Sequence, residues 1–282
     1  MTMRASTFSI VGCDLDRREW GVAIASKFLA VGALCAWVQA EVGAVATQSF
    51  IRAAHGPHGL RLLAEGTDAE RARDLLLAGD EAPEQRQLGL VDARGRAATF
   101  TGAGCLDWAG GRVGPCYAAQ GNMLVSEATV DALATTFEAE EGQLADRLLA
   151  ALEAGQAAGG DRRGQQAAAL LVARGGGGYG GADVAVDLRV DDHPTPVAEL
   201  RRLYGLHGLY FGTTPDSEWL QVDDVLRAEL AERLARAGHR TGDLDTDLAT
   251  WAGIENLEER VHGTDRIDPV VLASLREATD AH

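Results

Sequence analysis

The sequence predicts an α+β protein, a four-layer α-β-β-α sandwich followed by a small three-helix domain. Three observations carry this. Stretches with a two-residue apolar period come in adjacent pairs joined by short turns, as antiparallel strands do. Helical patterns arrive two at a time between those strand pairs, which suits antiparallel sheets covered by helix layers better than parallel crossovers. A glycine- and turn-rich stretch, Gly205–Ser217, then separates this pattern from a purely helical one.

The first pair lies in Thr7–Lys27, with its turn in the charged run Asp14–Glu19. Thr7, Ser9, Val11 and Cys13 share one face, and Phe8, Ile10 and Gly12 the other. A register with Thr7 opposite Lys27 puts two hydroxyls and an ammonium on one face and leaves an apolar face for the core. A second strand pair is expected at Val31–Trp37 and Val42–Gln48. Helices follow from Gly56-Pro57 to Ala64, and to Ala78 behind a Thr67/Glu70 capping box. Gln87–Asp92 and Ala97–Thr101 read as a hairpin, 102–114 as a loop, and Tyr117–Gln120 as a strand. Apolar stripes predict helices from Ser126 to Phe137 and over Leu144–Ala157. Strands at Ala167–Val172 and Val184–Val190 precede a helix from Thr195-Pro196 to Leu206. The expected division is 1–206 for the sandwich, 207–217 for a linker and 218–282 for the helical domain.

The chain has 282 residues and a formal charge of −16, which argues against nucleic acid or anionic membrane as a partner. No apolar run is long enough to span a bilayer. The segment before Thr7 lacks the apolar core of a secretory signal, so a cytoplasmic product is expected. Assembly into a homo-oligomer is compatible with the chain. Cys13, Cys35, Cys105 and Cys116 form no C-x-x-C spacing and read as buried small hydrophobes rather than a zinc site or disulfide frame. His55 and His58, and the run Asp191-Asp192-His193, lack the spacing of a ligand set, so neither a metal nor a cofactor is expected.

Lys27 is the single lysine beside 25 arginines, and a desolvated lysine, unlike arginine, can lose its proton. Survival by chance at a strand end is the plain alternative. A threonine hydroxyl needs a base before it attacks a carbonyl. Were Thr7 the first residue, its own α-amine, with a pKa of about 8, could serve. Lys27 opposite would keep that amine neutral by like-charge repulsion. The chemistry would be acyl transfer on an amide.

These residues carry a family resemblance. TFSIVGCD, GVAIASKFLAVGA, EVGAVATQ, TGAGCLDWAG, QGNML, AGQAAGGDRRGQQAAALLV and DLRVDDHP cover residues 7–206 in order. They are similar to a bacterial domain-of-unknown-function family of N-terminal nucleophile (Ntn) hydrolase-like proteins. The resemblance implies the αββα sandwich, a presumed amidohydrolase-type site acting on a C–N bond of a small amide or peptide-like substrate, Thr7 as nucleophile and Lys27 as the supporting lysine. Such a nucleophile must start the chain, whereas MTMRAS precedes Thr7: either residues 1–6 are removed by cleavage between Ser6 and Thr7, or the start is misplaced, or the site is silent.

Ser9, Thr47, Gln48 and Asn122 could open onto the same cleft, where N–H groups could stabilise an oxyanion, or they could simply bond within turns and strand ends. Arg162 and Arg163 could hold a substrate carboxylate beside Asp161, or Asp161 could pair with Arg163 and shape the turn. The last 65 or so residues, LRAELAERLARAGHRTGDLDTDLATWAGIENLEERV and RIDPVVLASL, resemble peptidoglycan-binding domains. That implies peptidoglycan-derived fragments or a protein partner as ligand. The alternative to an enzyme is a non-catalytic ligand-binding or scaffold protein that keeps the same sandwich.

Overall fold

The computed structural model describes residues 4–5 and 7–280. In chain order it contains β1 (Arg4–Ala5), β2 (Thr7–Asp14), β3 (Glu19–Ser26), α1 (Val31–Cys35), β4 (Ala36–Gln39) and β5 (Gly43–Phe50). Then come α2 (His55–Ala64), α3 (Ala69–Ala78), β6 (Arg86–Asp92), β7 (Ala97–Thr101), β8 (Gly110–Gly114) and β9 (Tyr117–Asn122). These are followed by α4 (Ala128–Ala139), α5 (Leu144–Ala157), β10 (Ala167–Ala173), β11 (Val184–Val190) and α6 (Pro196–Phe211). Last are β12 (Leu220–Gln221), α7 (Asp224–Arg236), α8 (Leu244–Ile254), β13 (Arg266–Ile267) and α9 (Pro269–Asp280). The chain is therefore α+β. It divides into a compact unit through Leu203 and another from Tyr204, with the division inside α6.

The first unit is built on two antiparallel sheets. One has the order β1-β5-β6-β7, with β4 also on β5; the other has the order β11-β10-β3-β2-β9-β8. Alternation sorts the side chains of each strand. Val11, Cys13, Trp20, Val22 and Ile24 meet Ala44, Ala46 and Val91 of the facing sheet in one apolar cluster. Val45, Leu88 and Leu90 point the other way, onto Leu60 and Leu63 of α2 and Leu76 of α3. On the outer face of the six-stranded sheet, Gly12 and Gly21 stand directly opposite each other. The hollow they leave is filled from α4 and α5. A Cβ on Gly12 would lie 2.8 Å from the Phe137 ring, and one on Gly21 2.6 Å from Leu148. Glu19, at the start of β3, accepts from the Leu144 N–H and so caps α5 across the interface.

Several boundaries differ from the expectation for local reasons. Val31–Cys35 is a short helix rather than a strand, entered through Ala30 in the left-handed region (φ 52°). Gly110–Gly114, expected as loop, pairs with β9. Asp68 rather than Thr67 caps α3, accepting from Arg71 N at 2.8 Å. α6 does not stop at Leu206 for a linker; it continues because Leu209 and Tyr210 pack on the core of the second unit.

The second unit gathers α7, α8 and α9 around Leu230, Leu234, Leu248, Trp251, Leu272 and Leu275. A two-stranded ribbon, β12 with β13, is added to the expected three helices. Its buried ion pair, Arg260 to Asp268 at 2.8 Å, is completed by Thr214, whose hydroxyl donates to Asp268. Among the described residues, no helix is long and apolar enough to cross a membrane.

Leu148 is the test of the helix docking, because its fully buried side chain occupies the glycine hollow. Leu148→Ala is expected to lower the unfolding free energy by about 3–5 kcal/mol, measured by denaturant titration, since glycines offer no side chain to refill the space.

Candidate active site

Thr7 begins β2 in the middle of the six-stranded sheet, directly opposite Ser26, the last residue of β3, and Asn122, the last of β9. All three are buried. The Thr7 hydroxyl donates to Ser26 Oγ at 3.2 Å, and its carbonyl accepts from Gln48 Nε2 at 3.3 Å. The expected opposition of Thr7 and Lys27 is not made. The register is one residue away, so Ser26 takes that place and alternation turns Lys27 toward the other face. Lys27 is exposed, donating from Nζ to the Gln165 carbonyl at 3.0 Å and from its backbone N–H to Asp161 Oδ2 at 2.8 Å.

Ser9 and Gln48 do reach the space between the sheets, but they bond to each other. Ser9 Oγ donates to Gln48 Oε1 at 2.7 Å and accepts from Gln120 Nε2 at 2.7 Å. Gln48 Nε2 donates to Gln87 Oε1 at 2.8 Å, as does Asn122 Nδ2 at 2.9 Å. Gln87 Nε2 in turn donates to the Gly121 carbonyl at 2.7 Å and to Thr101 Oγ1 at 2.9 Å. The result is a buried amide network linking β2, β5, β6 and β9. Ser9 and Gln48 therefore join the sheets from sealed positions rather than line an open cleft. Thr47 is turned away from this network by the same alternation. It shares the helix-facing side of β5 with Val45, and its hydroxyl donates to the Arg52 carbonyl at 3.5 Å.

Gln87 and Gln120 escaped the sequence reading. Their signal is an amide of inward parity within a strand, close to a glycine, in Gln87-Leu88-Gly89 and Gln120-Gly121. Gly89 is needed for space, since a Cβ there would lie 2.2 Å from Gln120 Oε1.

The loop at 159–165 closes over the same strand ends. Asp161 is buried and bridges to Leu124; Arg162 N–H donates to the Met123 carbonyl, next to Asn122. Both Asp161 oxygens are engaged, one by the Lys27 N–H, and Arg163 closes on them at 2.9 and 3.2 Å. Asp161 and Arg163 thus form the turn, and neither is arranged as a substrate contact. Arg162 is exposed, with a guanidinium N–H 3.4 Å from the Leu124 carbonyl.

A second buried polar group lies at the β5–α2 junction. Asp80 accepts from Arg86 Nε at 2.8 Å and from Ala82 N at 2.9 Å, with Arg52 at 3.3 Å and His55 Nε2 at 3.1 Å. Burial disfavours the Asp80 charge, yet hydrogen bonds from Arg86, the Ala82 N–H and Arg52 outweigh it and hold the carboxyl far below its ordinary range. Burial, reinforced by the Arg52 and Arg86 cations against the pull of Asp80, lowers the His55 pKa to about 4, so the ring is neutral at pH 7. Among the described residues, no group of three or more His, Cys, Asp or Glu is arranged to hold a metal ion.

Two measurements probe these clusters. Gly89→Ala is expected to displace the Gln120 amide and cost about 2 kcal/mol or more. A double-mutant cycle with Gln120→Ala should recover most of that loss, because the clash and the amide disappear together. For His55, the unfolded chain takes up a proton near pH 6.5 and the folded chain only at about 4. Stability is therefore full above that window and falls as pH drops through it, by about 3 kcal/mol. His55→Gln should flatten this part of the stability–pH curve while leaving the loss below about pH 4, where Asp80 takes up a proton in the unfolded chain but not yet in the folded one.

Residues 7–200 match the model of a family of unknown function, DUF1028, and residues 210–275 match the model described as Putative peptidoglycan binding domain. The crystal structure of protein SPO2555 from Silicibacter pomeroyi, a DUF1028 structure, is similar to this chain at 31% identity and a TM-score of 0.66. The match covers 75% of this chain and 91% of that one. No curated protein matches. With the family model matching residues 7–200, more than half of the chain, the chain belongs to the DUF1028 family of unknown function.

Proposed function

We propose that the two-sheet unit is an Ntn-type αββα sandwich and that the chain is the precursor of an amidohydrolase whose nucleophile is Thr7. The observation that carries this is where the chain changes sheets. Ala5 pairs with Ser49 in the five-stranded sheet, and Thr7 pairs with Ser26 and Asn122 in the other. The intervening Ser6 lies outside the described residues. Removal of residues 1–6 would take away β1 and leave an α-amine at the head of β2, on the residue whose hydroxyl needs a base.

In the processed chain that amine accepts the Thr7 hydroxyl proton as Oγ1 attacks the substrate carbonyl carbon. The developing oxyanion is met by N–H groups at the end of β9, where Asn122, paired with Thr7 across the ladder, would supply a side-chain amide. Return of the proton to the leaving amine breaks the C–N bond, and water then hydrolyses the ester on Oγ1. Ser26 accepts from the Thr7 hydroxyl in the unprocessed chain; once that proton is directed to the α-amine, the Ser26 hydroxyl can donate to Oγ1 instead and hold its orientation, and Lys27 has no part in this scheme. A second reading, a binding or scaffold protein that uses its C-terminal domain to recognise peptidoglycan-derived fragments, is favoured by the complete burial of Thr7 in the unprocessed chain.

Intact-mass and N-terminal analysis of the purified protein, with hydrolysis of an amide and small-peptide panel, separates the two. The amidohydrolase requires loss of residues 1–6 and a fall in turnover of roughly a thousandfold or more in Thr7→Ala, with partial recovery in Thr7→Ser. A chain that keeps its first six residues and hydrolyses nothing on the panel would favour the binding protein, and a Thr7→Ala variant as active as the parent would exclude Thr7 as the nucleophile.

A further inference from the structure

The ladder between β2 and β9 continues one step past the last paired residues, Gly12 and Tyr117, and brings Cys13 opposite Cys116. The Cys13 N–H donates to the Cys116 carbonyl at 2.9 Å. Cys116 stands in the β8–β9 turn, at φ 62°, one residue before β9; a hydrogen-bonded antiparallel pair has Cα atoms about 5.5 Å apart, within the span of a disulfide. The sulfurs also converge. A Cβ on Gly95, in the β6–β7 turn, would lie 2.7 Å from Cys116 Sγ and 3.5 Å from Cys13 Sγ, so the two are no more than about 6 Å apart. Gly95, at φ 76°, supplies the turn and leaves the space the sulfurs occupy. Of the four cysteines, Cys116 alone is not buried.

We propose that Cys13 and Cys116 are a thiol-modification site that closes to a disulfide by exchange with a neutral or cationic low-molecular-weight disulfide. Cys116 is the entering thiol. Burial, and then the neighbouring Cys116, raise the Cys13 thiol far above its ordinary range, so Cys13 keeps its proton. The Cys116 thiolate attacks one sulfur of the reagent, the reagent's S–S bond breaks, and one small thiolate leaves. In the mixed disulfide Cys116 no longer carries a negative charge that opposes ionisation of Cys13; Cys13 then gives up its proton, its thiolate attacks Cys116 Sγ, and the second small thiolate leaves and takes up that proton. Two protein thiols are oxidised to one disulfide, and one small disulfide is reduced to two thiols. The carboxylates of Asp14 and Asp92 act on Cys13 as negative charges, which disfavours an anionic reagent such as oxidised glutathione.

The test uses the full folded chain with 2-hydroxyethyl disulfide, followed by alkylation of the remaining thiols under denaturing conditions and peptide mapping. Expected are two protected thiols out of four, the Cys13 and Cys116 peptides joined, and recovery of both thiols with dithiothreitol. Cys116→Ser should leave the other three thiols free. Four free thiols, a lasting adduct on Cys116 or another cysteine pair would overturn the proposal. The parent map decides it even if the variant folds poorly, and Thr7→Ala should give the same map because the pair lies at the opposite end of β2.

Discussion

One end of the inter-sheet space is held by side-chain amides, and the geometry of the candidate site follows from them. A buried amide left without partners costs a kilocalorie or more, so Gln48, Gln87 and Gln120 are tolerable only where each meets the others or a carbonyl. Ser9 and Asn122 complete the set. The arrangement fixes four strands relative to one another far more narrowly than hydrocarbon contact would, because hydrogen bonds are directional and apolar burial is not. Gln48 reaches the Thr7 carbonyl, so the same network that joins the sheets also positions the proposed nucleophile's backbone. At the far end the facing residues are Val11, Cys13, Trp20 and Val91, and the join is ordinary packing.

Charge is handled in a complementary way. Most of the acids that give the chain its −16 are exposed, but the buried ones each have a defined partner. Asp80 is held by Arg86 and Arg52, Glu19 by Arg174, and Asp161 by Arg163. Removing one member of such a pair strands the other without water, which makes these residues positional constraints more than sources of net stability. Asp161 shows the consequence for the site. Its carboxylate ties the strand end at Lys27 to the loop that covers Asn122, so the loop's shape and the strand terminus are set together. This favours a rigid rim around Thr7, with Arg162 as the exposed side chain on it.

Much of the fold could be read from the chain. The hairpin limits, β7, β11, α5 and the paired helices follow from apolar period and turn chemistry, and every strand pairing among the described residues is antiparallel as the element order suggests. The site was less legible. Thr7, Ser9, Gln48 and Asn122 were visible as polar residues at strand positions of one parity. Gln87 and Gln120 were not, because an isolated glutamine carries no motif and acquires meaning only from the residue across the interface. Thr47 was misplaced because a strand end does not reveal which face its last residues take.

The amino-acid sequence alone determined most of the strands and helices, α1, β8 and the β12–β13 ribbon apart, and that the chain carries two kinds of unit, since these depend on patterns a few residues long. Tertiary structure decided the register. Both faces of β2 and β3 are buried, one under helices and one under the facing sheet, so hydrophobic alternation could not choose between Lys27 and Ser26 as the neighbour of Thr7. Contacts from outside the hairpin accompany the choice: Trp20 Nε1 donating to the Asp92 carbonyl, Ser9 meeting Gln48, and Leu148 seated over the paired glycines. A one-residue slip would reverse which side chains meet those partners, and a two-residue period carries no record of them.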